Sequence, residues 1–237
     1  LCKKVKIIIS ERGFPSSDTT SKLSLFISKV LYPILYNRAD SLFSNSTHIN
    51  KDLKDNFGIK IPMEVIYNPI EIPSKIICPE EFINYNKSFN IITVGSLNKN
   101  KNHIMILRAL SELNNYNVKL NVLGNGELYN YLESEIINYD LVTQVKLSGK
   151  VKDVNAHLNK GHCFILASFS EGFPNALLEA MAIGLPCIST NCLCGPLELL
   201  NDNEEVDIEE GKYYLAKYGI LINTNDSIAL RNALNFL

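Results

Sequence analysis

Two glutamates, Glu171 and Glu179, stand eight positions apart in the stretch SEGFPNALLEAMAIGLPCIST, residues 170–190. A Gly-Phe-Pro turn follows the first. The second lies within a helical apolar pattern of Ala176, Leu177, Ala180 and Ile183. Pro174 suits the first helical position, where a missing N–H costs nothing. The backbone around Phe173, Pro174, Asn175 and Ala176 would then open a helix N-terminus, and amides aimed out of such an end, backed by the helix dipole, bind anions. Glu179 falls about 6–8 Å further along the helix. A carboxylate there has no use for a phosphate, but it accepts hydrogen bonds from sugar hydroxyls. The pair suits a ligand with a phosphate at the helix start and a ribose beside the first turns.

Other chemically able residues are sparser. Lys101 sits in a polar loop, VGSLNKNKN (94–102), behind the apolar run Ile91–Val94. It reads either as a phosphate contact or as a solvated lysine. His103 follows it and could cap that loop. The four histidines, His48, His103, His157 and His162, have no mutual spacing for a metal. Cys163 and Cys187 lie in apolar runs and read as small core residues. Cys192 and Cys194 lack a second cysteine or histidine cluster at zinc-like spacing, and with Cys2 and Cys78 the usage fits a reducing cytoplasm. No metal site is expected.

The chain has 237 residues, 46% hydrophobic and 20% charged, with a formal charge of −2. That balance carries no nucleic-acid footprint, and the dispersed aromatics form no stacking ladder for single strands. No apolar run approaches the roughly 20 residues that span a bilayer. There is no secretory signal at the start. Leu1 leads almost directly into a strand-like run, so the chain reads as the later part of a longer protein.

Short β-rich runs at Val5–Ile9, Ile91–Val94, Val118–Leu123, Val145–Leu147, Cys163–Ala167 and Pro186–Ser189 alternate with helical patterns. One helix is expected over 102–113, capped by Asn102, and another over 127–137. Earlier, a helix around Ser21–Tyr36, a strand Ser41–Ser44 and a helix Ser46–Phe57 are expected. The alternation argues an α/β fold with a parallel sheet covered on both faces. Pro69, Pro73 and Pro79 interrupt the rhythm and mark a linker. Two domains are expected: 1–72, too little for a complete doubly wound unit, and 73–237, a nearly complete one.

Residues Glu171, Gly172, Pro174, Leu178, Glu179, Ala180, Met181, Gly184 and Pro186 match the Glu-x7-Glu signature, and the stretch resembles the glycosyltransferase group 1 superfamily, the family 4 retaining transferases of GT-B fold. VGSLNKNKN resembles that family's first donor-domain strand and phosphate loop, with Gly95 and Lys101 in place and Ser96 where an arginine is usual. LGNGEL (123–128), LSGKVKDV (147–154), CGPLELL (194–200), IIISERGFP (7–15) and YNPIEI (67–72) resemble further family segments, so the likeness covers essentially the whole chain. It implies a near-complete C-terminal Rossmann-like donor domain and only the last part of an N-terminal acceptor domain.

The resemblance also implies chemistry. A sugar would pass with retention from a nucleotide-diphosphate sugar, a UDP-sugar above all, to a glycan or lipid-linked acceptor in cell-surface polysaccharide synthesis. Gly95, Ser96, Lys101, Lys150, Val151, Phe173, Pro174, Asn175, Ala176 and Glu179 would bind the donor, with Lys150 and Val151 meeting the base through backbone. The catalytic candidates are Glu171, which would approach the donor sugar hydroxyls, and Glu11, which stands where the family often has histidine and could orient the acceptor or donor. Glu11 could instead form a structural pair with Arg12, itself a candidate phosphate contact. No cofactor or metal is implied, the nucleotide sugar being substrate. The setting is cytoplasmic, at the inner face of the membrane, with peripheral membrane contact through the missing N-terminal part. Two other classes compete. One is a non-catalytic nucleotide-sugar-binding fragment. The other, a nicotinamide-dependent oxidoreductase, is weakened because only one glycine follows Ile91–Val94.

Overall fold

The structure, a computed structural model, describes residues 5–18, 21–73, 76–77, 88–113 and 117–237. Cys2, Cys78 and Pro79 lie outside them. Two parallel sheets organise the chain. The first joins β1 (Ile8–Glu11), β2 (Ser41–Ser44) and β3 (Met63–Val65) in that spatial order. Helices α1 (Pro15–Asp18), α2 (Lys22–Tyr36) and α3 (Thr47–Phe57) connect them. The expected first strand, 5–9, is displaced toward 8–11, because Ile8 to Glu11 are the residues in register with Ser41 to Ser44.

The second sheet has seven strands: β4 (Phe89–Val94), β5 (Val118–Leu123), β6 (Val145–Gly149), β7 (Cys163–Leu166), β8 (Cys187–Thr190), β9 (Tyr213–Ala216) and β10 (Gly219–Ile222). Their order is β6-β5-β4-β7-β8-β10-β9. All neighbours are parallel except the terminal hairpin of β9 and β10. The helices between them are α4 (His103–Ser111), α5 (Tyr129–Asn138), α6 (Val154–Leu158), α7 (Asn175–Ile183), α8 (Pro196–Asn201) and α9 (Ser227–Phe236).

Strands buried on both faces need apolar side chains at successive positions, and Ile91–Ile92 and Phe164–Ile165 supply them. Ile91 and Ile165 pack with Met105, Ile106 and Leu132 from α4 and α5. Ile92 and Phe164 pack on the other face with Leu177 and Ile183 of α7 and Leu158 of α6. The smaller sheet has its own core of Leu42, Ile49, Leu53, Phe57 and Ile59, which Cys194 from the larger unit enters. Among the described residues no helix is long and apolar enough to cross a membrane.

Some helix ends differ from the sequence expectation. Ser21 and Ser46 cap α2 and α3 through their hydroxyls, accepting from the amides of Ser24 and His48. Asn102 does not cap α4 in that way. Its backbone is left-handed, at φ 47°, because it also closes the 3₁₀ turn Lys99–Lys101, which Asn98 caps instead. Cys163, Cys187, Cys192 and Cys194 are buried free thiols. Burial pushes the thiols of Cys163, Cys187 and Cys194 far up, and that of Cys192 up to about 12.

Candidate active site

The strand order reverses direction between β4 and β7: the chain proceeds from β4 outward through β5 and β6, then from β7 outward through β8. Loops leaving the carboxyl ends of these two strands diverge and leave a crevice, the usual ligand position in such sheets. Here the loops are tied together at its floor. Phe169 N–H donates to Asn100 O at 2.8 Å, and Asn100 Nδ2 donates to Ser170 O at 2.7 Å. Lys101 Nζ meets Glu171 Oε1 at 2.6 Å. Glu171 is nearly buried there, its side chain 9% exposed against 23% for Lys101. Lys101 is thus no freely solvated lysine. Its stem runs beside Gly95, where an added Cβ would lie 3.2 Å from Lys101 Cδ.

The loop after β4 rests on the turn after β5. Gly95 N–H bonds Leu123 O, and Leu97 N–H bonds Asn125 O. Gly124 has φ 149°, and a Cβ on it would stand 1.9 Å from Gly95 O. Only glycine allows that backbone approach. Ser96 is exposed at the rim of this loop. Lys150 is exposed and Val151 half-buried just beyond β6, where Gly149 O accepts from Gly124 N–H. His103 does not cap the loop: it is buried as the first residue of α4, and its Nδ1 has no partner among the described residues. Burial, and then the charge of Lys101, push its pKa down to about 4.

Helix α7 begins one residue later than the sequence implies. Pro174 is the N-cap, with ψ 81°, and Asn175 is the first helical residue. Pro174 O accepts the amides of Leu177 and Leu178, and Phe173 O accepts that of Asn175. The Ala176 N–H is left without a backbone partner among the described residues. Phe173 is buried, its ring 5.6 Å from that of Tyr67. Gly184 ends α7 in the left-handed conformation.

Glu179 points elsewhere than Glu171. It is half-buried and lines a cavity of about 690 Å³ with Lys152, Asp153, Asn155 and the segment Pro69–Glu71. Burial pushes its carboxyl up from the ordinary value. Glu171 thus sits with Lys101 at the crevice floor, while Glu179 borders the cavity beside α6 and α7.

Glu11, at the end of β1, is held by its own unit. Oε2 accepts from Tyr36 OH at 2.8 Å, and Oε1 from the amides of Arg12 and Gly13 at 3.1 and 3.3 Å. The expected pairing of Glu11 with Arg12 is made through that amide, not between charges. Burial and the adjacent carboxylate push the Tyr36 hydroxyl far up.

A second carboxylate, Glu198 of α8, joins the two units. Oε2 accepts from Ser46 Oγ at 2.7 Å, while Oε1 accepts from Tyr67 OH at 2.7 Å and Thr47 N–H at 3.2 Å. It thus meets the N-terminus of α3 from across the boundary. Burial alone would raise its pKa, but the nearby His48, whose Nδ1 lies 3.9 Å from Oε2, and the bonds from Tyr67, Ser46 and the Thr47 amide outweigh that and hold it at about 2. The Gly-Pro-x-Glu turn marked its place in the sequence, but its partners are more than 130 residues away in the chain.

A profile for the family described as Glycosyl transferases group 1 matches residues 78–237. The chain belongs to that family. It is 29% identical over 230 residues to an uncharacterized glycosyltransferase of Methanocaldococcus jannaschii, covering 93% of this chain and 57% of that protein. It is 32% identical over 217 residues to the Campylobacter jejuni N-acetylgalactosamine-N,N'-diacetylbacillosaminyl-diphospho-undecaprenol 4-alpha-N-acetylgalactosaminyltransferase, covering 89% of this chain and 59% of that one. The chain thus spans less than two thirds of the length of both relatives. Among solved structures, Anabaena HepE in complex with UDP superposes with TM-score 0.75 at 19% identity, over 98% of this chain and 62% of that one. That likeness fixes the fold as GT-B. Membership of the group 1 family gives the nicotinamide-dependent oxidoreductase reading no support.

Proposed function

We propose that this chain carries the nucleotide-sugar site of a retaining glycosyltransferase, using a UDP-sugar and a glycan or lipid-linked acceptor. The observation that carries this reading is the Lys101–Glu171 contact at the switch between β4 and β7, beside the start of α7. The diphosphate lies at Lys101 and the Ala176 amide, which stabilise it as the bond from the anomeric carbon to the diphosphate oxygen breaks. The acceptor oxygen bonds to that carbon from the same face, and its proton passes to the departing diphosphate oxygen. Glu171 accepts from sugar hydroxyls, and Glu179 accepts from the ribose. Lys150 and Val151 offer backbone to the base. Gly95, Ser96, Phe173, Pro174 and Asn175 shape the phosphate end. Neither glutamate acts as a base, and no metal or cofactor takes part.

The UDP choice draws support from the HepE complex, and the lipid-linked acceptor from the name of the Campylobacter enzyme. Such an acceptor puts the work in the cytoplasm at the inner membrane face, in cell-surface glycan assembly. Because the chain spans 57–59% of the two relatives named above, a second reading holds for these 237 residues alone: they bind the donor without transferring it. Near-attack positioning needs an acceptor held across the cleft.

The test is a thermal-shift series with UDP, ADP, GDP and NAD. UDP raises the melting temperature, as a ligand of the folded state must. No shift with any nucleoside diphosphate at millimolar concentration sinks the proposal. Acceptor-dependent release of UDP by the 237-residue chain would sink the binding-only reading.

A further inference from the structure

We propose that Arg12, from the smaller unit, is a binding residue for the diphosphate held in the larger unit's crevice. This rests on the nucleotide-sugar reading above and names a contact made from across the cleft. Charge arithmetic motivates it. Lys101 is neutralised by Glu171 at 2.6 Å, so this pair brings no net positive charge toward a multiply charged diphosphate. Position 96 is serine, and Lys150 lies beyond β6 on the far side of β5.

Arg12 lies at the right border. The backbone of Arg12 and Gly13 abuts the loop after β7 so closely that a Cβ on Gly172 would stand 2.3 Å from Arg12 O. Its guanidinium leads to the start of α7 through one amide: Arg12 Nη1 donates to Asn68 Oδ1 at 3.4 Å, and Asn68 Nδ2 donates to Asn175 Oδ1 at 2.7 Å. Asn45, buried at 5% exposure, supports Asn68 from behind through its Nδ2 at 3.4 Å. Ser10 Oγ accepts from Arg12 Nε at 3.5 Å.

Arg12 itself is exposed and forms no ion pair among the described residues, its neighbour Glu11 being occupied by Tyr36 and backbone amides. An arginine held loosely by one neutral amide and one hydroxyl, without an ion pair and bordering the helix start with its unspent Ala176 amide, suits a ligand that brings its own negative charge. The planar fork matches two phosphate oxygens at once. Since Arg12 belongs to the other unit, diphosphate binding then bridges the two units, and nucleoside binding does not.

The experiment is calorimetric titration of the wild-type chain, Arg12→Ala and Arg12→Lys with UDP and uridine, at low and high salt. Arg12→Ala lowers UDP affinity about tenfold at low salt, Arg12→Lys lowers it less, and uridine affinity stays unchanged. The wild-type advantage shrinks as salt screens the contact. The ligand-free melting temperatures agree, because the side chain is exposed. Wild-type binding of UDP with no loss in Arg12→Ala overturns the role of Arg12 and leaves the nucleotide reading standing. An equal loss for UDP and uridine also overturns it, by showing general damage to the site. Failure of the wild type to bind UDP overturns both.

Discussion

Lys101 and Glu171 are close enough that each defines the other's role. Replacing Lys101 by alanine removes a charged donor from the crevice and leaves Glu171 without its partner, so affinity for UDP falls by about 1.5–3 kcal/mol, the range of hydrogen bonds to charged groups. Affinity for uridine stays unchanged. Titration of both ligands checks this, and equal losses would mean that the loop itself had collapsed. Glu179 makes a different prediction. Its raised pKa comes from burial, and only the carboxylate form accepts from two ribose hydroxyls. UDP binding therefore weakens as pH falls toward that raised value, and Glu179→Ala, weaker by about 1–3 kcal/mol at neutral pH, loses the dependence. A wild-type profile that follows the variant's at constant offset would place the titration elsewhere.

The turn between β5 and α5 is the element on which the crevice floor is built. Gly124 packs backbone against backbone with Gly95, in a conformation that a side chain resists. Gly124→Ala must push the loop 95–97 away from β5, at a stability cost of about 2 kcal/mol or more. Loss of UDP binding accompanies it because Lys101 rides on the same loop. Chemical denaturation and titration check the two effects together. Helix α2 carries another element-scale consequence. Leu23, Phe26, Ile27, Val30, Leu31, Ile34 and Leu35 are exposed along it, an apolar stripe at helical spacing. An area of that kind drives self-association. Sedimentation velocity should show oligomers of the wild-type chain that Phe26→Lys with Leu31→Lys reduces.

At the scale of the whole molecule the two sheets are joined through Glu198. Its folded pKa, about 2, lies below the ordinary 4.5. The stability this carboxylate contributes is therefore present above about pH 4.5 and is lost as pH falls from there toward 2. Glu198→Ala leaves Ser46, Tyr67 and the Thr47 amide without their acceptor and destabilises the chain by about 2–3 kcal/mol at pH 7. Urea denaturation at pH 7 and pH 3 checks the sign: the gap between wild type and Glu198→Ala narrows at the lower pH. A gap that stays constant would mean that the carboxylate's charge adds nothing to the joint.

The alternation of apolar runs with helical patterns made the larger sheet legible, because parallel strands buried on both faces and helices with one apolar side leave separate periodicities in the chain. The Glu-x7-Glu stretch made the region of the crevice legible for a local reason: a turn, a helix start and two acids all fall within twenty residues. The hairpin of β9 and β10 escaped, since Tyr214 and Leu215 stay exposed on an edge strand and carry no buried pattern. Asn102 stands at the N-cap of α4 without the side-chain bond expected of it, and Pro174 stands one position before its expected place in α7, because a cap depends on the turn that precedes it. The pairing of Lys101 with Glu171, 70 positions apart, came only with the strand order, which sets β4 beside β7 rather than next to β6. The holding of Glu11 by Tyr36, and of Glu198 by Ser46 and Tyr67, likewise came only with the tertiary structure. Residue types set which contacts are chemically possible. Which of them form is decided by the crossovers and by the packing of two units against each other, and neither leaves a mark in local spacing.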